Sequence, residues 1–346
     1  MSIERREFLQ VAGAATVSRP AGKKIRAAML GTGHSHAGGK LKAMLDLHDY
    51  FEVAGVSEPD AALRAQRQSA ALYQGQRWLS EEELLGDASV ELVVVETAVP
   101  DLPAAGRKVI AAGKHLHLDK PPSHELAPFR ELIEEARRKK LLVQTGYIWR
   151  RHQGINAAFE AARQGWLGQV YLLRGTINTD LETGARAPLA RYRGGMMFEL
   201  GGHLIDRVVE LWGRPREVRS WLRHDTGYAD QLADNTLVVF EYERSLAVVS
   251  SAARMPGHTA HRSFELIGTD GAMVIQPIEP GTRMRVSMRE ARGPYKAGWQ
   301  EIQMPEQTRY IGDFRALALA LVDGQPLKHS YEHELLVQET LLRASS

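Results

Sequence analysis

At roughly 150 residues per domain, a chain of 346 residues is long enough for two domains and for a core that needs no disulfide staples. Its 44 basic and 42 acidic side chains nearly cancel, which excludes the footprint of a nucleic-acid binder or a polybasic membrane patch, and no apolar run approaches the length of a helical membrane span. The absence of cysteine excludes disulfides, thiolate metal sites and a cysteine nucleophile, so proton chemistry must rest on other groups.

The chain opens with Arg5-Arg6-Glu7-Phe8-Leu9 and a mildly apolar stretch over 11–17, which resembles a short twin-arginine export signal. Residues 1–20 are therefore set apart as a leader or a basic arm. An exported, periplasmic location is the first reading and a cytoplasmic one the alternative.

Residues 25–30 form an apolar run that stops at Gly31-Thr32-Gly33, and the spacing of Leu41, Met44 and Leu45 predicts a helix over 40–47. Strand, Gly-x-Gly and helix is the arrangement in which backbone N–H groups and a helix N-terminus receive a pyrophosphate. The third glycine of that fingerprint falls on His36. The helix is therefore expected to begin further along, using Gly38 and Gly39, with His34, Ser35 and His36 in the cofactor turn. A second strand over 51–56 leads to Glu58, where a carboxylate accepts hydrogen bonds from an adenosine ribose and repels a 2′-phosphate. NAD is expected rather than NADP. A plain surface turn is the alternative for Glu58, and Asp60 reads as a helix N-cap.

The alternation continues with a capping box at Ser80 and Glu83, an apolar strand at 92–95 and a helix over 104–112. A strand at 115–118, a helical stripe of Phe129, Leu132, Ile133 and Ala136, and a strand at 141–143 follow. This pattern predicts a doubly wound parallel sheet whose ligand crevice lies at the strand C-terminal ends. Asp119-Lys120-Pro121 stands at that edge, where a desolvated lysine would exchange a proton with a hydroxyl; a surface lysine beside a turn is the other reading.

In the second half, Gly194-Gly195 leads into an expected helix on which Glu199, His203 and Asp206 share a face. A carboxylate that orients an imidazole is an acid–base pairing. A satisfied structural histidine and a metal ligand are the alternatives. No second set of side chains shows ligand spacing, so no metal is expected. The polar stretch 178–193, with Asp180, Glu182, Arg186, Arg191 and Tyr192, reads as a loop that reaches substrate hydroxyls or is simply solvated.

Gly31-Thr32-Gly33, the segment from Ala112-Gly113-Lys114-His115 to Asp119-Lys120-Pro121, and Glu199-x-x-x-His203 together resemble the glucose–fructose oxidoreductase/inositol dehydrogenase/rhizopine-catabolism (Gfo/Idh/MocA) family. The resemblance implies a Rossmann domain at 21–146 and an α+β domain with a large, mostly antiparallel sheet at 147–346. It implies that Lys120 and His203 are catalytic, with Glu199 tuning His203, and that Thr97 and Asp119 border the cofactor. Arg150 and Asp206 are placed with Tyr192 as substrate contacts. His36 for glycine, Glu199 for aspartate and Ala98 for proline depart from the family pattern.

Beyond that helix the chain turns to β pattern at 237–242, 245–249 and 264–275, with Asp270-Gly271 as a hairpin turn. The family's sheet is often a subunit interface, which implies a homodimer or homotetramer. The expected function is hydride transfer between NAD and a CH–OH carbon of a sugar, polyol or related compound, with no nucleic-acid or membrane partner. Two alternatives stand beside it. One is tightly held NAD used for transient oxidation in a glycosidase, lyase or epimerase; the other is a non-catalytic sugar- or NAD-binding protein.

Overall fold

The computed structural model describes residues 24–346, so the export-signal reading of residues 1–20 lies outside the described residues. The chain forms two compact units. One holds residues 24–148 with Thr308–Gln338, the other Trp149–Gln307 with Glu339–Ser346.

In the first unit, strands β1 Ile25–Leu30, β2 Phe51–Ser57, β3 Leu92–Val95, β4 His115–Leu118 and β5 Val143–Thr145 pair in parallel, in the order β2-β1-β3-β4-β5. Helices α1 Ala37–Asp46, α2 Ala61–Ser69, α3 Glu81–Gly86, α4 Leu102–Ala111 and α5 Leu126–Lys139 connect them. Every residue of β3 is buried, as a strand covered on both faces requires. Asp60 caps α2 by accepting from the N–H groups of Ala62 and Leu63, and Ser80 and Glu83 close the capping box of α3. Because the strands are parallel, their C-terminal ends share one edge. That edge carries Gly31 to Gly33, Glu58, Thr97 and Asp119-Lys120.

Strand β5 begins at Val143, two residues later than expected. Lys140 ends α5 in the left-handed region (φ 57°), Leu141 N–H returns to the Ala136 carbonyl, and Leu142 N–H is taken by His115 Nδ1. Pairing with β4 therefore starts at Val143.

The second boundary is also corrected. Residues 308–338 belong with the nucleotide unit, not with everything beyond 147. Helix α10 (Ile311–Asp323) buries Phe314, Leu317 and Ala318 in the same cluster as Met29, Leu41, Phe51 and Val94. Phe314 meets Phe51 edge-on at 5.9 Å. Each such fully buried side chain contributes about 1.5–3 kcal/mol, and that burial draws the late segment back.

The second unit is built on eight strands: β6 Val170–Thr176, β7 Glu217–Arg223, β8 Asn235–Glu241, β9 Leu246–Ala252, β10 Ser263–Gly268, β11 Gly271–Ile275, β12 Arg283–Met288 and β13 Gly298–Gln303. Their order is β13-β12-β11-β10-β6-β9-β8-β7, and only the β6–β9 pair is parallel. One face buries Leu173, Val238, Phe240, Val249, Phe264 and Leu266. Helices α6 Gln153–Arg163 and α8 Gly202–Trp212 pack there, with Phe159 edge-on to Phe264 and Leu204 pressed against Gly175. On the other face Trp221 stands beside Leu237 in register, with Leu246 further along, all exposed. Helices α7 Thr183–Ala190, α9 His258–His261 and α11 Tyr331–Ala344 complete the helical set; among the described residues no helix is long and apolar enough to cross a membrane.

Candidate functional site

The glycine turn is shaped by a close approach. Gly31 has φ +82°, and a β-carbon there would lie 2.6 Å from Thr97 Cγ2 and 2.7 Å from Thr97 N. Only glycine lets the end of β1 close on the end of β3 in this way. Thr32, fully buried, donates its N–H and hydroxyl to Glu58 Oε2 at 2.6 and 2.7 Å, and Glu58 Oε1 accepts the Asp60 N–H at 3.0 Å. Glu58 thus braces the turn from below and is not a plain surface carboxylate. Three of its roughly four acceptor positions are used, which leaves capacity for a ribose hydroxyl.

Helix α1 starts at Ala37, directly after His36, which corrects the expectation of a later start. His36 itself takes helical angles (φ −85°, ψ −13°), and its ring is drawn to the Asp119 carboxylate, Nδ1 lying 3.1 and 3.2 Å from the two oxygens. Gly38 and Gly39 fall inside the first turn. At Gly39 a β-carbon would meet the Tyr310 ring at 2.5 Å. No side chain caps α1, and Gly33 and Ser35 are exposed beside its N-terminus. A backbone cradle that a β-carbon at Gly31 would fill, next to an uncapped helix start, fits the pyrophosphate of a dinucleotide.

Beneath the turn lies a buried charge cluster. Lys40 Nζ lies 2.7 Å from Glu96 Oε1 and 2.8 Å from Asp119 Oδ2, and all three side chains are fully buried. Burial alone would lower the Lys40 ammonium; the Asp119 and Glu96 carboxylates outweigh it and hold it charged. Burial and the nearby Asp119 charge push Glu96 up, with Lys40 opposing. Burial also opposes ionisation of Asp119, but His34, Lys40 and His36 around it keep it below the usual carboxylate range. Burial lowers His36 to about 4 against the pull of Asp119, so its imidazole is neutral near pH 7. Asp119 Oδ1 accepts the backbone N–H of Lys120 at 2.5 Å, and Lys120 is itself 1% exposed, not a surface lysine. Lys40, Glu96 and Tyr310 escaped the sequence reading. A lysine on the apolar side of α1 and a glutamate directly after the all-aliphatic strand Leu92–Val95 were the available signals.

In the second unit, residues expected to form one continuous α-helix divide. Met197–Gly201 is a π-helical turn, and α8 follows from Gly202. A π-turn widens the repeat, so α-helical spacing between Glu199 and His203 does not carry through it. His203 is 2% exposed, with its ring 5.7 Å from that of Trp149. Arg150 and Asp206, expected as substrate contacts, pair with each other. Arg150 Nε and Nη2 reach Asp206 Oδ1 at 3.1 and 2.7 Å, Arg207 Nε reaches Oδ2 at 2.9 Å, and the pair is buried. Both carboxylate oxygens are taken by guanidinium groups. Tyr192 is half-buried, its ring 5.2 Å from Phe198. The stretch expected as a loop contains α7, and Arg186 there is buried on Asp230 at 2.6 Å and Asp234 at 2.8 Å.

The chain matches known proteins along most of its length. Residues 25–147 match the oxidoreductase family with an NAD-binding Rossmann fold, and residues 155–274 match the GFO/IDH/MocA C-terminal domain. The chain is 29% identical over 339 residues to the uncharacterized oxidoreductase YhhX of Escherichia coli, covering 92% of this chain and 95% of that one. Trans-1,2-dihydrobenzene-1,2-diol dehydrogenase of Homo sapiens is 30% identical over 155 residues, 44% of this chain and 46% of that one. An uncharacterized oxidoreductase of Schizosaccharomyces pombe is 29% identical over 201 residues, 57% of this chain and 54% of that one. The chain thus spans about half the length of these yeast and mammalian curated relatives. Among solved structures, GenD2 from gentamicin A biosynthesis in complex with NAD superimposes with a TM-score of 0.77 at 22% identity, over 96% of each chain. UDP-N-acetylglucosamine 3-dehydrogenase GnnA from Acidithiobacillus ferrooxidans gives 0.76 at 17% identity, over 93% of this chain and 97% of that one. At those identities the likeness is one of fold. With both domain matches in order, a parallel five-stranded sheet and a large antiparallel one, the chain belongs to the Gfo/Idh/MocA family of NAD-binding oxidoreductases.

Proposed function

We propose that the chain is an NAD-dependent dehydrogenase acting on a CH–OH carbon of a sugar, polyol or related compound. The observation that carries this reading is the convergence, at one edge of the parallel sheet, of the Gly31 turn, Thr97 and the buried Lys120. Gly31, Gly33, His34, Ser35 and His36 would hold the dinucleotide with Thr97 and Asp119. Glu58, with acceptor capacity remaining, favours a free ribose 2′-hydroxyl over a 2′-phosphate, hence NAD over NADP. The bound nicotinamide would supply the two-electron acceptor. Lys120 and His203 would take or return the hydroxyl proton, Glu199 would tune His203, and Tyr192 would contact a substrate hydroxyl. Arg150 and Asp206 act in this reading as a buried frame for α8. Relatives named as a diol dehydrogenase and a nucleotide-sugar dehydrogenase support a polyhydroxylated substrate.

The same reading includes a homo-oligomer that covers Trp221, Leu237 and Leu246 on the sheet, and export directed by Arg5-Arg6. The deciding experiment is Lys120→Ala. Turnover on a sugar and polyol panel should fall about 10²–10⁴-fold with NAD binding retained. Near-wild-type turnover in that variant would sink the assignment. Stoichiometric NAD in the purified protein without steady NADH production would point instead to transient oxidation.

A further inference from the structure

Among the side chains assigned to the dinucleotide turn, two histidines converge on one carboxylate. His34 and His36 leave the cofactor turn on either side of Ser35, and both aim Nδ1 at one oxygen. Asp119 Oδ2 lies 3.0 Å from His34 Nδ1 and 3.1 Å from His36 Nδ1. Donors about 2.0–2.1 Å from a tetrahedral ion stand about 3.3 Å from one another. Two edges of this group are therefore close to metal dimensions, and the three ligand atoms lie within 4.8 Å of each other.

Glu96 supplies an independent sign. It is fully buried, its Oε2 makes no hydrogen bond, and that oxygen lies 3.9 Å from His34 Nδ1. A buried carboxylate oxygen in such a place must take up either a proton, shared with the neighbouring Asp119, or a cation. Lys40 does not meet it, because its ammonium takes the other Glu96 oxygen and one side of Asp119 Oδ2. A carboxylate oxygen has a second lone pair, so Asp119 Oδ2 can serve Lys40 and an ion together. Nor do the hydrogen bonds of His34 close the group. Its Nδ1 faces the backbone N–H of His36 at 3.2 Å, which needs a bare nitrogen, while Asp119 Oδ2 at 3.0 Å needs a protonated one. A cation that takes the His34 Nδ1 lone pair in place of the His36 N–H turns the contact with Asp119 Oδ2 into shared coordination.

We propose that His34, His36, Asp119 and Glu96 bind one divalent first-row transition-metal ion, of the zinc, cobalt, iron or manganese kind. Two imidazoles and two carboxylates, without sulfur, form a donor set for such ions and not for soft monovalent ones. The ion ties the turn after β1 to the ends of β3 and β4, at the position where the dinucleotide fingerprint ordinarily has its third glycine. The proposal does not require the redox reading, although His34, His36 and Asp119 belong to the turn that reading assigns to the dinucleotide.

Full-length protein is stripped with a chelator, exposed to Zn²⁺ or Co²⁺, desalted and assayed by elemental analysis, with the visible spectrum of the Co²⁺ form as second readout. One ion per chain and a thermal midpoint raised by Zn²⁺ are expected. His36→Gly, which installs the residue of the ordinary fingerprint, and Asp119→Asn should each weaken binding more than about tenfold, with circular dichroism confirming that both fold. A wild-type chain that retains neither metal, or variants that bind both as well as wild type, overturns the proposal. NAD titration of the same samples reports separately on the cofactor reading, so the two ideas fail independently.

Discussion

Arg150 and Asp206 meet inside the second unit, Nη2 lying 2.7 Å from Oδ1, with the arginine 3% exposed and the carboxylate fully buried. Arg207 closes on the other oxygen and also reaches Glu210 Oε2 at 2.6 Å, so Asp206 lies between two guanidinium groups within a larger buried ion-pair group. Removing one partner of a buried ion pair leaves uncompensated charge and costs about 3–5 kcal/mol. Asp206→Asn should lose stability of that order in chemical denaturation. A substrate contact would behave differently, raising KM with stability unchanged.

Gly31→Ala tests the turn. The substitution places a β-carbon in the left-handed region and 2.6 Å from Thr97 Cγ2. Strain of this kind costs about 1–3 kcal/mol, and relief must come from moving the end of β1 or β3. A lowered melting temperature together with weakened NAD binding is expected. Unchanged NAD affinity would mean that the turn is not part of the nucleotide site.

A pH effect should come from His224. Its Nδ1 lies 2.8 Å from the Leu232 carbonyl and its Nε2 2.9 Å from the Tyr228 carbonyl, so both ring nitrogens donate only in the imidazolium form. The Leu232 carbonyl is the main cause that raises its pKa, joined by that of Tyr228, Asp234 and Asp230 and opposed by burial. A raised folded pKa means the stabilisation is complete below the unfolded value of about 6.5 and fades as pH climbs through the folded one. His224→Gln should melt earlier than wild type at about pH 5.5, and the gap should shrink at about pH 9. Equal gaps at both pH values would exclude this role.

The open face of the large sheet gives a fourth test. Trp221 and Leu237 are paired across β7 and β8 and are 51% and 38% exposed. Charges placed in a buried apolar interface are strongly unfavourable. Leu237→Glu combined with Trp221→Glu should convert an oligomer to a monomer by light scattering, with the far-ultraviolet spectrum unchanged. A wild-type chain that is already monomeric would remove the homo-oligomer proposal.

How far the sequence reached depended on burial. β3 was legible because a strand covered on both faces reads as an unbroken apolar run, while β1, which carries Arg26, and β4, which alternates histidine with leucine, were marked by the glycine turn and the Asp-Lys-Pro segment that follow them. β7, β12 and β13 were not, since their outward positions hold residues such as Arg219, Ser287 and Glu301, which dilute the alternation. Residues 316–322 form an apolar run of helix-favouring composition, but nothing local says that its partner is the sheet of β1 to β5. Lys120 and the Gly31 turn were carried by short motifs. The grouping of His34, His36 and Glu96 around Asp119 needed the strand ends to be brought together, and the π-turn at Met197–Gly201 leaves no mark, because its residues fit α-helical spacing equally well.

Because Phe314 and Leu317 fill the core beneath β1 and β2, the nucleotide unit is begun on the ribosome before the eight-stranded sheet and completed only after it. Its opening residues emerge with an apolar flank uncovered and must wait while the whole eight-stranded sheet is synthesised. A fragment ending near residue 148 would keep that flank open, so excising the nucleotide unit as a free module should yield an aggregation-prone product unless α10 is fused back onto it. Evolution or engineering that exchanges the second unit must therefore respect three joints in the chain, after Ile148, after Gln307 and after Gln338.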